Sequence, residues 1–296
     1  MRTLGWFLIL LLGALAAVAL LSYPAWLLLH PYFDFAFHRI AERIGLVTLA
    51  GGFVLFARRL GLADRASLGY GLPRRTFVRE LTLALALGVL TMLLVVAAMA
   101  ALGLLAPAPA APHGAALVRL VVLRLASGLA VGFIEETLLR GALQSGIARE
   151  AGTATAIGAT ALIYAATHFF AKYQVAPEAV NAWSGVALLG GSLHSFAAPG
   201  TIVDAFAALF AVGVVLSLVR ASTGNIAACI GLHAGWVWVM LVVHELAYPR
   251  RPAPLDFLLS SFDGFVGWLV CAWTLLLLPP LWGFYRRRAA NRADAR

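Results

Sequence analysis

The sequence predicts an all-α polytopic membrane protein with about eight transmembrane helices. Three observations carry that class. The chain of 296 residues is 62% hydrophobic and only 12% charged, with a mean hydropathy of +0.91. Its apolar residues gather in runs near the ~20 residues that a bilayer requires of a helix. Between the runs stand proline, glycine and arginine, which mark turns and topology.

The first run, 4–29, follows Arg2 and resembles a signal peptide in its first half. It is too long for one and further spans follow, so a retained helix is expected. The later runs are approximately 40–57, 77–105, 116–148, 153–171, 201–220, 225–246 and 262–285. The second is the weakest, because Glu42 and Arg43 stand at its start. Ala106-Pro-Ala-Pro-Ala-Ala-Pro112 cannot be helix and reads as an uncharged outer loop. The 172–200 stretch is too polar to span, at Lys172, Gln174, Glu178 and Asn181. With Trp183, Leu188 and Leu189 it is expected along the outer interface. Pro199-Gly200 breaks the chain, and Thr201 with Asp204 has capping-box spacing, which makes Asp204 a cap rather than a catalyst. Ser222-Thr-Gly-Asn225 reads as a tight inner turn.

Orientation follows from the basic residues. With the N-terminus inside, the inner segments hold Arg2, Arg58, Arg59, Arg65, Arg74, Arg75, Arg79, Arg149, Arg220, Arg286, Arg287, Arg288, Arg292 and Arg296. The outer loops hold Arg39, Arg43, Lys172, Arg250 and Arg251. Fourteen against five predicts both termini in the cytoplasm. The net charge of +9 is therefore a topology signal, with the lipid bilayer as a partner and no nucleic acid. Cys229 and Cys271 lie in apolar runs, which excludes a disulfide framework and a CxxC metal motif. The chain divides into an N-terminal block (1–116) with an Arg-rich cytoplasmic loop, a core (117–246), and a last helix with a basic tail (247–296).

The core carries the chemistry. In Val131-Gly-Phe-Ile-Glu-Glu-Thr-Leu-Leu-Arg-Gly141, two adjacent carboxylates and an arginine interrupt an apolar helix. A charge at that depth costs roughly 2.5–3.5 kcal/mol on insertion scales, so such residues usually have a function. Glu136 and Arg140 are four apart and share a helix face, where they can pair. Glu135 points about 100° away and stays free to react. His168, at the end of Tyr164-Ala-Ala-Thr-His168, and His233, in Gly231-Leu-His-Ala-Gly-Trp-Val237, lie on two further predicted spans. By helical rise Glu135 and His168 lie about 21 and 22 Å from the inner ends of their helices, which places them at matching depths. His233 is only about 12 Å from Asn225, so its helix must start deeper or tilt. His244, beside Glu245 near the outer end, reads as a hydrogen-bonded interface residue.

These three motifs, in this order on separate spans, resemble the CPBP family of intramembrane proteases. The family is also called the Abi or CAAX-protease family and includes the eukaryotic endopeptidase that trims prenylated CAAX proteins. The resemblance covers about 117–245. It implies an endopeptidase whose family core occupies four helices. Glu135 would be general base on a water, His168 would orient that water, and His233 would stabilise the oxyanion. Glu136 and Arg140 would hold the helix in register, and Tyr164 would fill the place of the family's usual phenylalanine. No cofactor is needed for this reading. The alternative is zinc held by Glu135, His168 and His233, although the HExxH spacing of common zinc proteases is absent.

One departure matters. The last family motif usually places Asn or Asp one turn after the histidine, where this chain has Val237. A replacement donor could come from backbone near Gly235 or from the indoles of Trp236 or Trp238. The expected substrate is a membrane-associated peptide or protein, cleaved by a multi-pass enzyme of the bacterial inner (plasma) membrane. The Arg- and Ala-rich, Lys-poor composition points to a GC-rich bacterial genome and away from a prenylated substrate. Bacterial relatives are associated with peptide maturation, bacteriocin self-immunity and processing of membrane-anchored substrates. The alternatives are a catalytically silent scaffold or immunity protein of the same family and, from another class, a proton-coupled transporter. The transporter lacks support because the chain shows no internal repeat.

Overall fold

The computed structural model describes residues 2–33, 35–169 and 173–293. Lys172, Arg296 and the end of the fifth predicted run at 170–171 lie outside the described residues. In chain order the helices are α1 (Arg2–Leu29), α2 (Phe37–Arg59), α3 (Arg74–Ala101), α4 (Gly114–Glu136), α5 (Gln144–Ala151), α6 (Thr153–Thr167), α7 (Ser184–Ala197), α8 (Val203–Thr223), α9 (Ala227–Leu246) and α10 (Trp268–Ala293). A π-helical segment, Thr137–Leu143, joins α4 to α5. The protein is all-α and polytopic, and among the described residues seven helices are long and apolar enough to cross a membrane. The fifth predicted run does not reach that length, because α6 has 15 residues and spans only about 22 Å. The last run starts later than expected, at Trp268. Its predicted beginning is loop, where Ser260 and Asp263 side chains accept N–H bonds from Phe262, Phe265 and Val266.

The chain forms two compact units. The first comprises Met1–Ala63 and Ala166–Thr201. In it α1 packs against α2 and α7, with Phe7 edge-on to Phe56 at 6.4 Å. Within the 172–200 stretch, expected along the outer interface, α7 occupies 14 residues. Gly185 lies so close to α1 that a Cβ there would collide with the Ala19 carbonyl.

The second unit comprises Asp64–Ala165 and Ile202–Arg296, with α9 packed against both α3 and α4. Glycine makes both contacts possible. A Cβ on Gly235 would sit 2.7 Å from the Leu85 carbonyl oxygen of α3, and one on Gly128 would sit 2.8 Å from that of Ala234. The spacings Gly128-xxx-Gly132 and Gly231-xxx-Gly235 are those that let membrane helices approach backbone to backbone. Two predicted outer loops meet in a short antiparallel ribbon, β1 (Leu105–Pro107) with β2 (Ala247–Pro249). Sequence did not anticipate this small departure from an all-helical fold.

The predicted inner segments also meet one another. Arg149 reaches the Ser67 hydroxyl at 2.6 Å, and the Ile226 N–H donates to the Gly69 carbonyl at 3.1 Å. From α10, Arg288 and Arg292 bind the buried Glu80 of α3 at 2.6 and 3.1 Å. The inner turn forms as expected, with Gly224 left-handed at φ 68° and the Asn225 side chain accepting from Ala227 N–H. Thr201 is not the cap of α8. Ile202 holds that position and the Thr201 hydroxyl donates to the Ala198 carbonyl, while buried Asp204 accepts from Ala205 N–H within the first turn.

Candidate active site

The two adjacent glutamates end α4, at the point where the backbone passes from α to π geometry. The expected single helix over 116–148 is therefore α4, a π segment and α5. A π turn widens the hydrogen-bonded ring by one residue and frees carbonyls for other donors. Here the Arg140 carbonyl accepts from the Ser145 hydroxyl at 3.4 Å and from Arg220 Nε at 3.2 Å. The Thr137 hydroxyl donates to the Phe133 carbonyl at 2.6 Å and also contacts the Tyr70 hydroxyl.

Inside the bundle Glu136 and Arg140 are wholly buried and pair at 2.8 Å through Oε1 and Nη1. Arg140 Nη2 donates to the Gly213 carbonyl of α8 at 3.2 Å, and the guanidinium lies 4.8 Å from the centre of the Tyr164 ring. The same Glu136 oxygen receives His233 Nδ1 at 2.8 Å. With the carboxylate ionised against Arg140, Nδ1 carries the proton, which turns Nε2 toward the remaining polar groups. Nε2 lies 3.5 Å from the Tyr164 hydroxyl and 4.0 Å from Glu135 Oε2. Glu135 is the open member of the set, 33% exposed against 0% for Glu136 and 2% for His233.

The shallow count for His233 is resolved at the start of α9. Asn225 to Gly235 are all buried, so the helix begins inside the protein rather than at its surface. The residues 64–70 cover its N-terminus through the Gly69 carbonyl.

This is a carboxylate–imidazole–carboxylate array in an apolar bundle, with one carboxylate neutralised and one accessible. Residues 117–239 match the family of Rce1-like type II CAAX prenyl endopeptidases. The matched segment contains all three motifs and agrees with the resemblance to the CPBP family. No curated protein and no solved structure matches the chain. The Rce1-like family points to an intramembrane endopeptidase acting on a peptide or protein, and the apolar helices place it in a bilayer.

Within this Rce1-like segment the structure brings Glu135, Glu136, Arg140, Tyr164 and His233 together. His168 falls in the first unit, half-buried in the turn that follows α6. Trp236 and Trp238 do not supply the donor missing at Val237. The Trp236 indole donates to the Thr91 hydroxyl and that of Trp238 to the Val121 carbonyl, both at 2.9 Å. His244 stands edge-on to Phe265 at 4.3 Å, while its neighbour Glu245 pairs with Arg124.

The Glu136–His233 link was not foreseen. Sequence spacing pairs Glu136 with Arg140 but cannot reveal a second partner on α9. The glycine pairs were the available signal, because they predict which helices approach closely enough for such a bond. Among the described residues no three His, Cys, Asp or Glu side chains are arranged to hold a metal ion. Glu136 is committed to Arg140 and His233 Nδ1 to Glu136, which leaves Nε2 as the ring nitrogen that faces Glu135.

Proposed function

We propose that the protein is an intramembrane endopeptidase that hydrolyses a peptide bond of a membrane-associated peptide or protein with a water activated by Glu135. The observation that carries this reading is His233, held at Nδ1 by buried Glu136 and facing Glu135 with Nε2 at 4.0 Å. That gap is too long for a direct bond, and the third of the Glu135 side chain that stays exposed is where a water can be held. Glu135 takes a proton from the water as it attacks the scissile carbonyl. His233, as imidazolium, donates from Nε2 to the oxyanion. Collapse of the intermediate returns the Glu135 proton to the leaving amine, and the enzyme is restored. The resemblance assigns His168 the role of orienting the water.

No metal takes part in this reading. Both termini face the cytoplasm of a bacterial inner membrane, on the strength of the arginine distribution and the composition. The two outer loops joined in the β ribbon, and the inner segments joined around Ser67, support this alternation.

Val237 supports a second reading, a silent scaffold of the same family, because neither neighbouring indole replaces the usual polar donor. The test is turnover of a co-expressed membrane peptide by wild type, Glu135→Gln and His168→Ala. Cleavage by wild type alone supports the protease. A validated substrate left intact by wild type selects the scaffold, and full activity in Glu135→Gln overturns the assigned base.

A further inference from the structure

The loop 64–70, which follows α2, supplies nothing to the mechanism above, yet it touches both elements that face each other across the site. Its Gly69 carbonyl accepts the Ile226 N–H at the start of α9, 3.1 Å away. The next residue, Tyr70, places its hydroxyl 2.6 Å from that of Thr137, which follows Glu136 directly and opens the π segment. His233 lies about 10 Å of helix beyond Ile226. Two consecutive loop residues thus tie down the two elements whose side chains, Glu135 and His233, meet at 4.0 Å.

The loop is itself firmly held. Asp64 Oδ1 accepts the Ser67 N–H at 2.8 Å, and the Tyr70 N–H donates to the Arg65 carbonyl at 2.7 Å. The Tyr70 ring stacks on Phe77 of α3, with centroids 5.5 Å apart. Gly69 is left-handed at φ 84°, and a Cβ there would lie 3.1 Å from the Ile226 nitrogen. A Cβ on Gly141 would lie 2.9 Å from the Leu68 carbonyl oxygen, so the loop meets the π segment at a second point. The hydroxyl pair has a direction. Thr137 spends its proton on the Phe133 carbonyl at 2.6 Å, so its oxygen is the acceptor and Tyr70 the donor. A helical threonine divides between two rotamers, and a back-bond of this kind bends the helix that carries it. The Tyr70 bond favours the back-bonded rotamer. Phe133 and Thr137 bracket Glu135 and Glu136, so the turn that is held carries both carboxylates.

From this we infer that Tyr70 is a positioning residue for the hydrolytic step. Through Thr137 it fixes the turn at which α passes to π, and with it the direction of Glu135 toward His233. The inference rests on the reading of Glu135 as the base. Among the described residues the Tyr70 hydroxyl bonds Thr137 and neither Glu135 nor His233. Its loss therefore slows the chemistry and leaves substrate binding as it was.

The test measures kcat and KM on a membrane peptide with the full-length chain in detergent, per mole of folded protein, and amide hydrogen exchange over 131–141. Tyr70→Phe keeps the ring on Phe77 and removes the donor. Thr137→Val removes the acceptor, so the bond is probed from its other side where one variant folds poorly. Each is expected to lower kcat about tenfold with KM unchanged to within about twofold. The double variant is expected to lose no more than the worse single one, because both changes remove one bond. Thr137→Ser keeps the hydroxyl and is expected to retain most of the rate. Exchange over 131–141 is expected to quicken in Tyr70→Phe. The role is overturned by unchanged kcat in both single variants, by a raised KM at unchanged kcat, by losses that multiply in the double variant, or by unchanged exchange. Glu135→Gln separates this inference from the wider reading. Activity lost in Glu135→Gln but kept in Tyr70→Phe refutes the positioning role alone. Full activity in Glu135→Gln, or a validated substrate left intact by wild type, removes the assigned base and the positioning role with it.

Discussion

Arg140 offers the sharpest test of how the buried array is held. Arg140→Met keeps the apolar stem and removes the guanidinium. Glu136 then keeps only His233, because its Oε2 already has no partner, and the Gly213 carbonyl loses its donor. Breaking a wholly buried pair from one side costs about 3–5 kcal/mol. On the scale of domains of 150–250 residues this corresponds to a loss of roughly 6–20 °C in the unfolding midpoint. Glu136→Gln together with Arg140→Met leaves no lone charge, so the double variant should recover part of that loss, with a coupling of about 2–3 kcal/mol. The assay is thermal unfolding of wild type, both single variants and the double variant in one detergent. Additivity within about 0.5 kcal/mol would show that the two side chains are energetically independent and would refute the reasoning.

Other outcomes test the remaining roles. Glu135→Gln, at the exposed end of the array, should leave the midpoint within about 0.5 kcal/mol of wild type and abolish cleavage. Val237→Asn should keep the fold and raise cleavage, since one oxyanion donor is typically worth about 10²–10³ in rate; destruction of wild-type activity by this change would show a site built on other lines. Gly235→Ala would set a Cβ 2.7 Å from the Leu85 carbonyl oxygen, so a loss of roughly 1–3 kcal/mol is expected, and an unchanged midpoint would mean that α3 and α9 can separate freely. Arg288→Gln should lower stability less than Arg140→Met, because Arg292 still holds Glu80; an equal loss would argue against sharing of that carboxylate.

The helices were legible because a bilayer demands long apolar runs, and their ends were marked by Pro, Gly and Arg. The Glu136–Arg140 pair was legible for the same local reason, since four residues along a helix share a face. What escaped were features that depend on two chain segments at once. The bond from His233 to Glu136 crosses 97 positions, and the ribbon pairs Ala106 with Tyr248. The π segment escaped for a different reason, because no residue in it signals a widened turn and its stabilising partners, Ser145 and Arg220, lie beyond it. The shallow count for His233 came from assuming that every helix starts at the membrane surface, whereas α9 starts beneath a loop.

The π segment sets a phase between two ends of one span. Its wider ring offsets α5 from α4 by about one residue, or roughly 100° of azimuth in an α-helix. Upstream, that azimuth points Glu136 at α9; downstream, it points Gln144 at the Ser217 carbonyl and Arg149 at Ser67. A regular helix could satisfy only one of these sets of neighbours. The span thus works as two short rods clocked against each other, so that the hydrolytic groups and the helix-end anchors each face their own partners.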